Sequence, residues 1–217
     1  MNRLYPFFSL LITISVLLFS RPLCAQDLGD FRIGVRGGLN LSTLRSQSIS
    51  ERSPRIGYHV GAFVEFYYND FISFQPELLL FSRGGINTFM PSNAPEIIDT
   101  DGEANFSLAY FDIPLPVKVT IADLVSLHLG PYLGYLLHAE TSLDGDVADA
   151  FTTPPDQHDF VRWDAGLVAG LGLDMKNVTI GFRYAQGFTR IAKSDAASLL
   201  LGDGKNSSFQ GSIAILL

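Results

Sequence analysis

Eight charged residues stand at alternate positions inside runs that are otherwise apolar or built from small side chains: Arg36, Glu65, Glu77, Asp112, Lys118, Arg162, Asp164 and Arg183. Three kinds of chemistry fit such a set. Carboxylates gathered beside a substrate cleft do acid–base work. A line of ionisable groups passes protons or ions. Opposite charges in pairs fill an interior, because a buried charge persists only with a partner. Which applies depends on the space around them.

Other reactive patterns fail on spacing. His59, His128, His138 and His158 form neither H-x-H nor H-E-x-x-H, so no metal site is expected. No G-x-S-x-G elbow is present to anchor a hydrolase. "DAGLVAGLGLD" (164–174) is glycine-rich, but it is not G-x-G-x-x-G and no helical pattern follows, so no nucleotide cofactor is expected. The segment 139–159 carries Glu140, Asp144, Asp146, Asp149, Asp156 and Asp159 without Lys or Arg. "DGDVAD" hints at calcium, yet it lacks the spacing and closing Glu of an EF-hand loop. The plainer reading is a solvated acidic loop open to recognition.

The elements that must position the eight charges are strands. Period-two patterning marks eight of them, at 31–41, 56–68, 71–83, 106–121, 125–138, 160–174, 178–191 and 207–217. Tight turns at 69–70, 122–124 and 176–177 alternate with long polar loops at 42–55, 84–105, 139–159 and 192–206. In the glycine-rich stretch, Asp164, Gly166, Val168, Gly170, Gly172 and Asp174 share one face, and Ala165, Leu167, Ala169, Leu171 and Leu173 the other. A soluble barrel turns its Leu and Val inward and covers its outside with charge. Glycine and serine on the second face suit a crowded lumen instead. Phe66, Tyr68, Phe71 and Trp163 near strand ends fit interfacial girdles.

Composition agrees. The chain has 217 residues, 47% hydrophobic, with a formal net charge of −7 and a mean hydropathy of +0.23. Acidity without a basic stripe argues against nucleic acid. Arg3, the apolar run from Phe7 to Phe19 and a small residue at Ala25 read as a signal peptide cleaved after residue 25. That run is shorter than the roughly 20 residues of a retained anchor. Lipidation at Cys24 fits poorly with Leu23 before it. Cleavage leaves residues 26–217, free of the one cysteine, and excludes disulfides and thiol chemistry.

Seven segments in order, "GVRGGLNLS", "GYHVGAFVEF", "FQPELLLFSRGG", "YFDIPLPVKV", "LGPYLGYLL", "DAGLVAGLG" and "GFRYAQGFTRI", resemble the PorT-like outer-membrane β-barrel domain of Bacteroidetes-type bacteria. The resemblance implies an outer-membrane barrel of eight strands and, through the family's name-giving member, a link to a secretion and gliding apparatus. Many such barrels end on an aromatic residue read by the assembly machinery; this chain ends on Leu217.

The expectation is an all-β, eight-stranded, antiparallel, up-and-down transmembrane barrel with long outer loops and short periplasmic turns. It is monomeric, non-enzymatic and free of cofactors. Its partners are outer-membrane lipid, the assembly machinery during insertion, and an extracellular ligand or a secretion-apparatus protein. The eight charges form a packed lumen network, with Arg36, Glu77, Asp112 and Arg183 near mid-height, Glu65 and Lys118 below, and Arg162 and Asp164 above. The alternatives are an accessory barrel of a secretion machine and a lipid-acting barrel enzyme. A further expectation concerns "DIPLPVK": prolines at 114 and 116 both lack an N–H on the same side, so the strand must bulge, bend or leave a gap there.

Overall fold

The computed structural model describes residues 31–45, 52–89, 102–122, 124–145, 157–193 and 204–217. The expected signal peptide and the centres of the four long loops lie outside these residues. The described chain forms ten antiparallel strands: β1 (Phe31–Arg45), β2 (Arg52–Tyr67), β3 (Ile72–Phe74), β4 (Glu77–Phe89), β5 (Gly102–Pro114), β6 (Val117–Ile121), β7 (Val125–Gly145), β8 (Trp163–Met175), β9 (Val178–Arg190) and β10 (Lys205–Leu216). Because β1 pairs with both β2 and β10, the sheet closes on itself. Closure is what lets a sheet cross hydrocarbon, since an open edge would leave backbone groups unpaired in a medium without water.

Ten strands appear where eight were expected, and the difference falls at prolines. β3 and β4 both pair with β2 and are divided at Gln75–Pro76; β5 and β6 both pair with β7 and are divided at Leu115–Pro116. The Leu115 N–H donates to the Pro131 carbonyl on β7. Successive amides point to opposite sides, so the missing donors of Pro114 and Pro116 both face the β3–β4 side. The ladder there keeps a bond from the Gln75 N–H to the Pro116 carbonyl. A gapped ladder is therefore present, as the proline spacing required; the matching break at Pro76 was not expected.

The strands also run further than their patterning suggested. β7 extends to Gly145, β4 to Phe89, and β5 begins at Gly102. Over this upper region the alternation is inverted. On β5 the buried residues are Ala104, Phe106 and Leu108, while Asn105 and Ser107 are less buried. A bulge at Leu137–His138 on β7, opposite Ala109–Tyr110, resets which residues face inward. Water, rather than lipid, then sets the polarity of the outer face, and apolar side chains turn in. A pattern sought for lipid-facing strands ends where that reversal begins.

Below it the outer face is a continuous apolar belt that includes Leu39 (65% exposed), Phe182 (63%) and Ile213 (55%). A surface this apolar is stable against lipid, not against water. Aromatic residues border it: Phe31 lies 6.3 Å from Phe66 near the tight turns, and Tyr135 lies edge-on 5.0 Å from Trp163 toward the loops. The turn at 69–70 is locked by the Asn69 side chain, whose oxygen accepts from the Phe71 and Ile72 amides at 2.9 and 2.8 Å. The 176–177 turn sits beside the end of β10, with the Leu216 N–H donating to the Asn177 carbonyl.

This arrangement gathers the tight turns at one end and the long connections at the other. A cysteine at Asp149 is expected to react with an impermeant thiol reagent on intact cells, and one at Asn177 only after permeabilisation. Labelling of the Asn177 position alone on intact cells would invert the orientation.

Candidate functional site

Seven of the eight charges identified in the sequence are buried inside the barrel: Arg36, Glu65, Glu77, Asp112, Lys118, Asp164 and Arg183. They fall into three tiers. Nearest the turns, Lys118 Nζ lies 3.1 Å from Glu65 Oε1 and 3.3 Å from Asp174 Oδ2. Ser73 donates to Glu65 at 2.7 Å and Thr179 to Asp174 at 2.5 Å.

The middle tier is a fork. Arg183 donates from both terminal nitrogens to the two oxygens of Glu77, at 2.9 and 2.8 Å. This bidentate geometry is the strongest that a guanidinium and a carboxylate form. Arg36 Nε lies 3.4 Å from the same carboxylate, and its Nη1 donates to Ser212 at 3.0 Å. His128 Nδ1 lies 3.0 Å from Arg183 Nη2, and its Nε2 lies 3.1 Å from Ser126 Oγ. Arginine can only donate, so Nδ1 accepts and the ring proton on Nε2 goes to Ser126. His59 stacks on Phe81 with centroids 5.0 Å apart.

Toward the loops Arg83 forms the third tier, bridging Asp112 and Asp164. Asp164 also accepts from Tyr132 and from Asn206, each at 2.9 Å. The Arg83 guanidinium lies 4.5, 5.2 and 5.0 Å from the ring centroids of Phe81, Tyr110 and Tyr132. Such an aromatic surround favours a cation that has left water.

Two corrections follow. Arg162 is exposed and donates to the Tyr135 hydroxyl at 3.1 Å; it lies outside the lumen. It sits in a bend before β8 starts at Trp163, so strand alternation does not reach it. Asp112, placed at mid-height with Arg36, Glu77 and Arg183, instead pairs one tier higher. Its partner Arg83 was missed, although it continues the inward series Glu77, Leu79, Phe81 by one step. Asp174 closes the lowest tier in the same way, from the last residue of an anticipated strand.

The glycines of the 164–174 stretch make this packing possible. A Cβ on Gly170 would run into the Arg183 side chain, on Gly172 into Ser126, and on Gly166 into Tyr132 and the Gln186 carbonyl. Each glycine clears room for a lumen side chain arriving from a neighbouring strand. Above the third tier lies an apolar stopper of Ala104, Phe106, Leu108, Leu136, Ala139, Phe160 and Ile191. Phe160 comes from the β7–β8 connection and packs edge-on against Phe106 at 6.3 Å. Alternation points Phe160 inward with Asp164 but does not show what it meets there.

Fold and site together define a membrane β-barrel whose inside is a polar core. The chain belongs to the family of the outer membrane protein beta-barrel domain, whose model matches residues 21–193, and the outer membrane is its location. Three solved barrels resemble it at the level of fold. Ail, the attachment invasion locus protein of Yersinia pestis, is 15% identical, with 87% of this chain and 99% of that one covered and a TM-score of 0.47. Neisserial surface protein A is 14% identical, with 84% and 96% covered and a TM-score of 0.47. OprG of Pseudomonas aeruginosa is 11% identical, with 88% and 96% covered and a TM-score of 0.39. No curated protein matches the sequence.

Because Glu77 and Arg183 are both buried, removing one strands the other, which typically costs about 3–5 kcal/mol. Glu77→Ala and Arg183→Ala are expected to lower the temperature at which the barrel loses its folded gel mobility. Because Arg36 shares the Glu77 carboxylate, recovery of much of that loss should need Glu77→Leu combined with both Arg183→Met and Arg36→Met, and Arg162→Ala should cause little. Single variants as stable as the parent would show that the fork contributes nothing.

Proposed function

We propose that this protein is a monomeric, non-enzymatic barrel of eight staves, with β3–β4 and β5–β6 each counting as one broken stave. Its lumen is a plug, and its loop end makes contacts at the cell surface. The observation that carries the reading is how little space the tiers leave. Between the second and third tiers, among Phe81, Arg83, Asp112, Tyr132, Arg183 and Gln210, the free volume is about 10 Å³. That is the scale of a single water molecule, and an eight-stranded lumen has width only for side chains.

The same tiers weigh against catalysis. Glu65, Glu77, Asp112 and Asp164 are all held by cations within the network, and an acid–base pair needs room for substrate beside it. Seven of the eight charges named from sequence thus act as packing, and Arg162 does not.

The ordered motifs favour a second reading, an accessory barrel of a secretion or gliding machine of the PorT-like kind. Cross-linking in cells separates the two. Recovery of periplasmic machine components on the turn end supports the accessory role, and adducts confined to the loops support a surface role.

Purified protein in planar bilayers is expected to show no sustained conductance of the size a water-filled porin produces. Large, stable channels from the unmodified chain would defeat the plug.

A further inference from the structure

We propose that the wall of this barrel has a lateral window at mid-membrane between β4 and β5, a short stretch that opens by itself while the rest of the barrel stays closed. The observation behind it is a cluster of missing donors. Pro76, Pro114, Pro116 and Pro131 are four of the five prolines in the described residues. The register pairs Phe74 with Val117 below and Leu79 with Asp112 above. Continued between those pairs, it sets Pro76 opposite Leu115, Gln75 opposite Pro116 and Glu77 opposite Pro114. Leu115 in turn stands beside Pro131, to whose carbonyl its amide donates.

A hydrogen-bonded antiparallel pair exchanges two bonds. The Gln75 amide donates to the Pro116 carbonyl at 2.9 Å, but Pro116 has no N–H to return to the Gln75 carbonyl. Pro114 has none for Glu77, and Pro131 has none for Leu115. On the other flank of the gap the Val64 amide donates to the Pro76 carbonyl at 3.1 Å, and Pro76 cannot donate back. The carbonyls of Val64, Gln75, Glu77 and Leu115 therefore each face a nitrogen without hydrogen.

Depth gives the cluster its effect. The lipid-facing series along β3 and β4 is Ile72, Phe74, Pro76, Leu78 and Leu80, and Pro76 is its centre. Water would satisfy a spare carbonyl near an interface, but the hydrocarbon core holds none. The closed form thus has fewer bonds across this patch than across an unbroken ladder, and parting the strands there costs less. Packing behind it is loose as well. Leu79, Asp112 and Pro114 border the free volume of about 10 Å³ in the lumen, and the buried Gln75 Oε1 has no hydrogen-bond partner among the described residues.

Ion pairs clamp both ends. Below, Glu65 of β2 accepts from Ser73 of β3 and lies 3.1 Å from Lys118 of β6, which holds three adjoining strands together. Above, Arg83 of β4 bridges to Asp112 of β5. Between the clamps Glu77 reaches across the lumen to Arg183 on β9, so its carboxylate does not tie β4 to β5. From the Phe74–Val117 pair to the Leu79–Asp112 pair is roughly 17 Å along the strands. The window is confined to that length. It faces the hydrocarbon sideways, while the clamps and tiers keep the barrel shut along its axis.

The test follows amide hydrogen exchange residue by residue by NMR, with the mature chain in lipid nanodiscs. The Gln75 and Glu77 amides are expected to exchange about tenfold faster than those of Leu171 and Phe182, paired in the unbroken β8–β9 ladder beside Arg183. Phe74→Cys with Val117→Cys places two thiols directly opposite on the lipid face, and their disulfide should slow Gln75 and Glu77 to the rate of Leu171. Ile180→Cys with Ile213→Cys, a staple across β9–β10, should leave them unchanged. Pro114→Val with Pro116→Val supplies two of the missing donors and should slow them as the first staple does. Equal rates at the two places in the parent chain would overturn the window. So would fast exchange at Gln75 and Glu77 that the first staple does not slow. Slowing by both staples alike would mean that the whole barrel opens, and would overturn a local window too.

Discussion

A strand that crosses hydrocarbon must have every backbone N–H and C=O bonded within the protein. The rest of this structure depends on that requirement. It forces the sheet to close, which it does where β1 meets both β2 and β10. Closure with so few strands leaves a lumen too narrow for bulk water. Charges that face such a lumen are solvated by one another and by the hydroxyl and amide groups beside them. Hence the bidentate Arg183–Glu77 fork, the Arg83 bridge between two aspartates and the Lys118 bridge between Glu65 and Asp174. Even the glycines serve this end, since each cleared position admits part of a long side chain.

The same requirement accounts for where the ladder is imperfect. Proline in a central strand normally has no place, because its missing donor leaves a neighbour's acceptor unmet. Here Pro76, Pro114 and Pro116 fall close together on adjoining strands, so these three missing donors share one short gap. Pairing resumes on both sides, with Phe74 opposite Val117 and Leu79 opposite Asp112 in continuous register.

Much of this was legible because a strand in lipid encodes its two faces at every second residue. Val168, flanked by glycines, marks the inner face of β8 as clearly as Leu167 and Leu171 mark the outer. Arg83 and Asp174 were legible in principle, as each lies one or two steps along an alternation already recognised. Arg162 misled because alternation was carried one residue beyond the start of a strand. The apolar stopper was legible only in direction, since Phe106, Leu108, Leu136, Phe160 and Ile191 share the inward parity of the charges but not their polarity. Phe160 and Ile191 flank strands and meet Phe106 and Leu136 only through closure. In the upper barrel the code also changes sign, as solvent replaces lipid outside, and no single strand announces the change. Which cation meets which carboxylate was equally hidden, since registry between distant strands decides it.

That last point bears on how the barrel assembles. Arg183 and Glu77 are 106 positions apart in the chain, Arg36 and Ser212 are 176, and Arg83 and Asp164 are 81. No single hairpin carries a complete tier. The β8–β9 hairpin entering the bilayer alone would bring Asp164 and Arg183 without Arg83 and Glu77, at a cost the lipid does not offset. Neutralisation of those two waits until β4 faces β8 and β9 across the lumen, so the closed sheet and the interior form together. Long-range pairing of this kind is slow, and it makes the transition all-or-none. An incompletely zipped molecule keeps water in its centre and is the state from which a quality-control protease or chaperone would withdraw it.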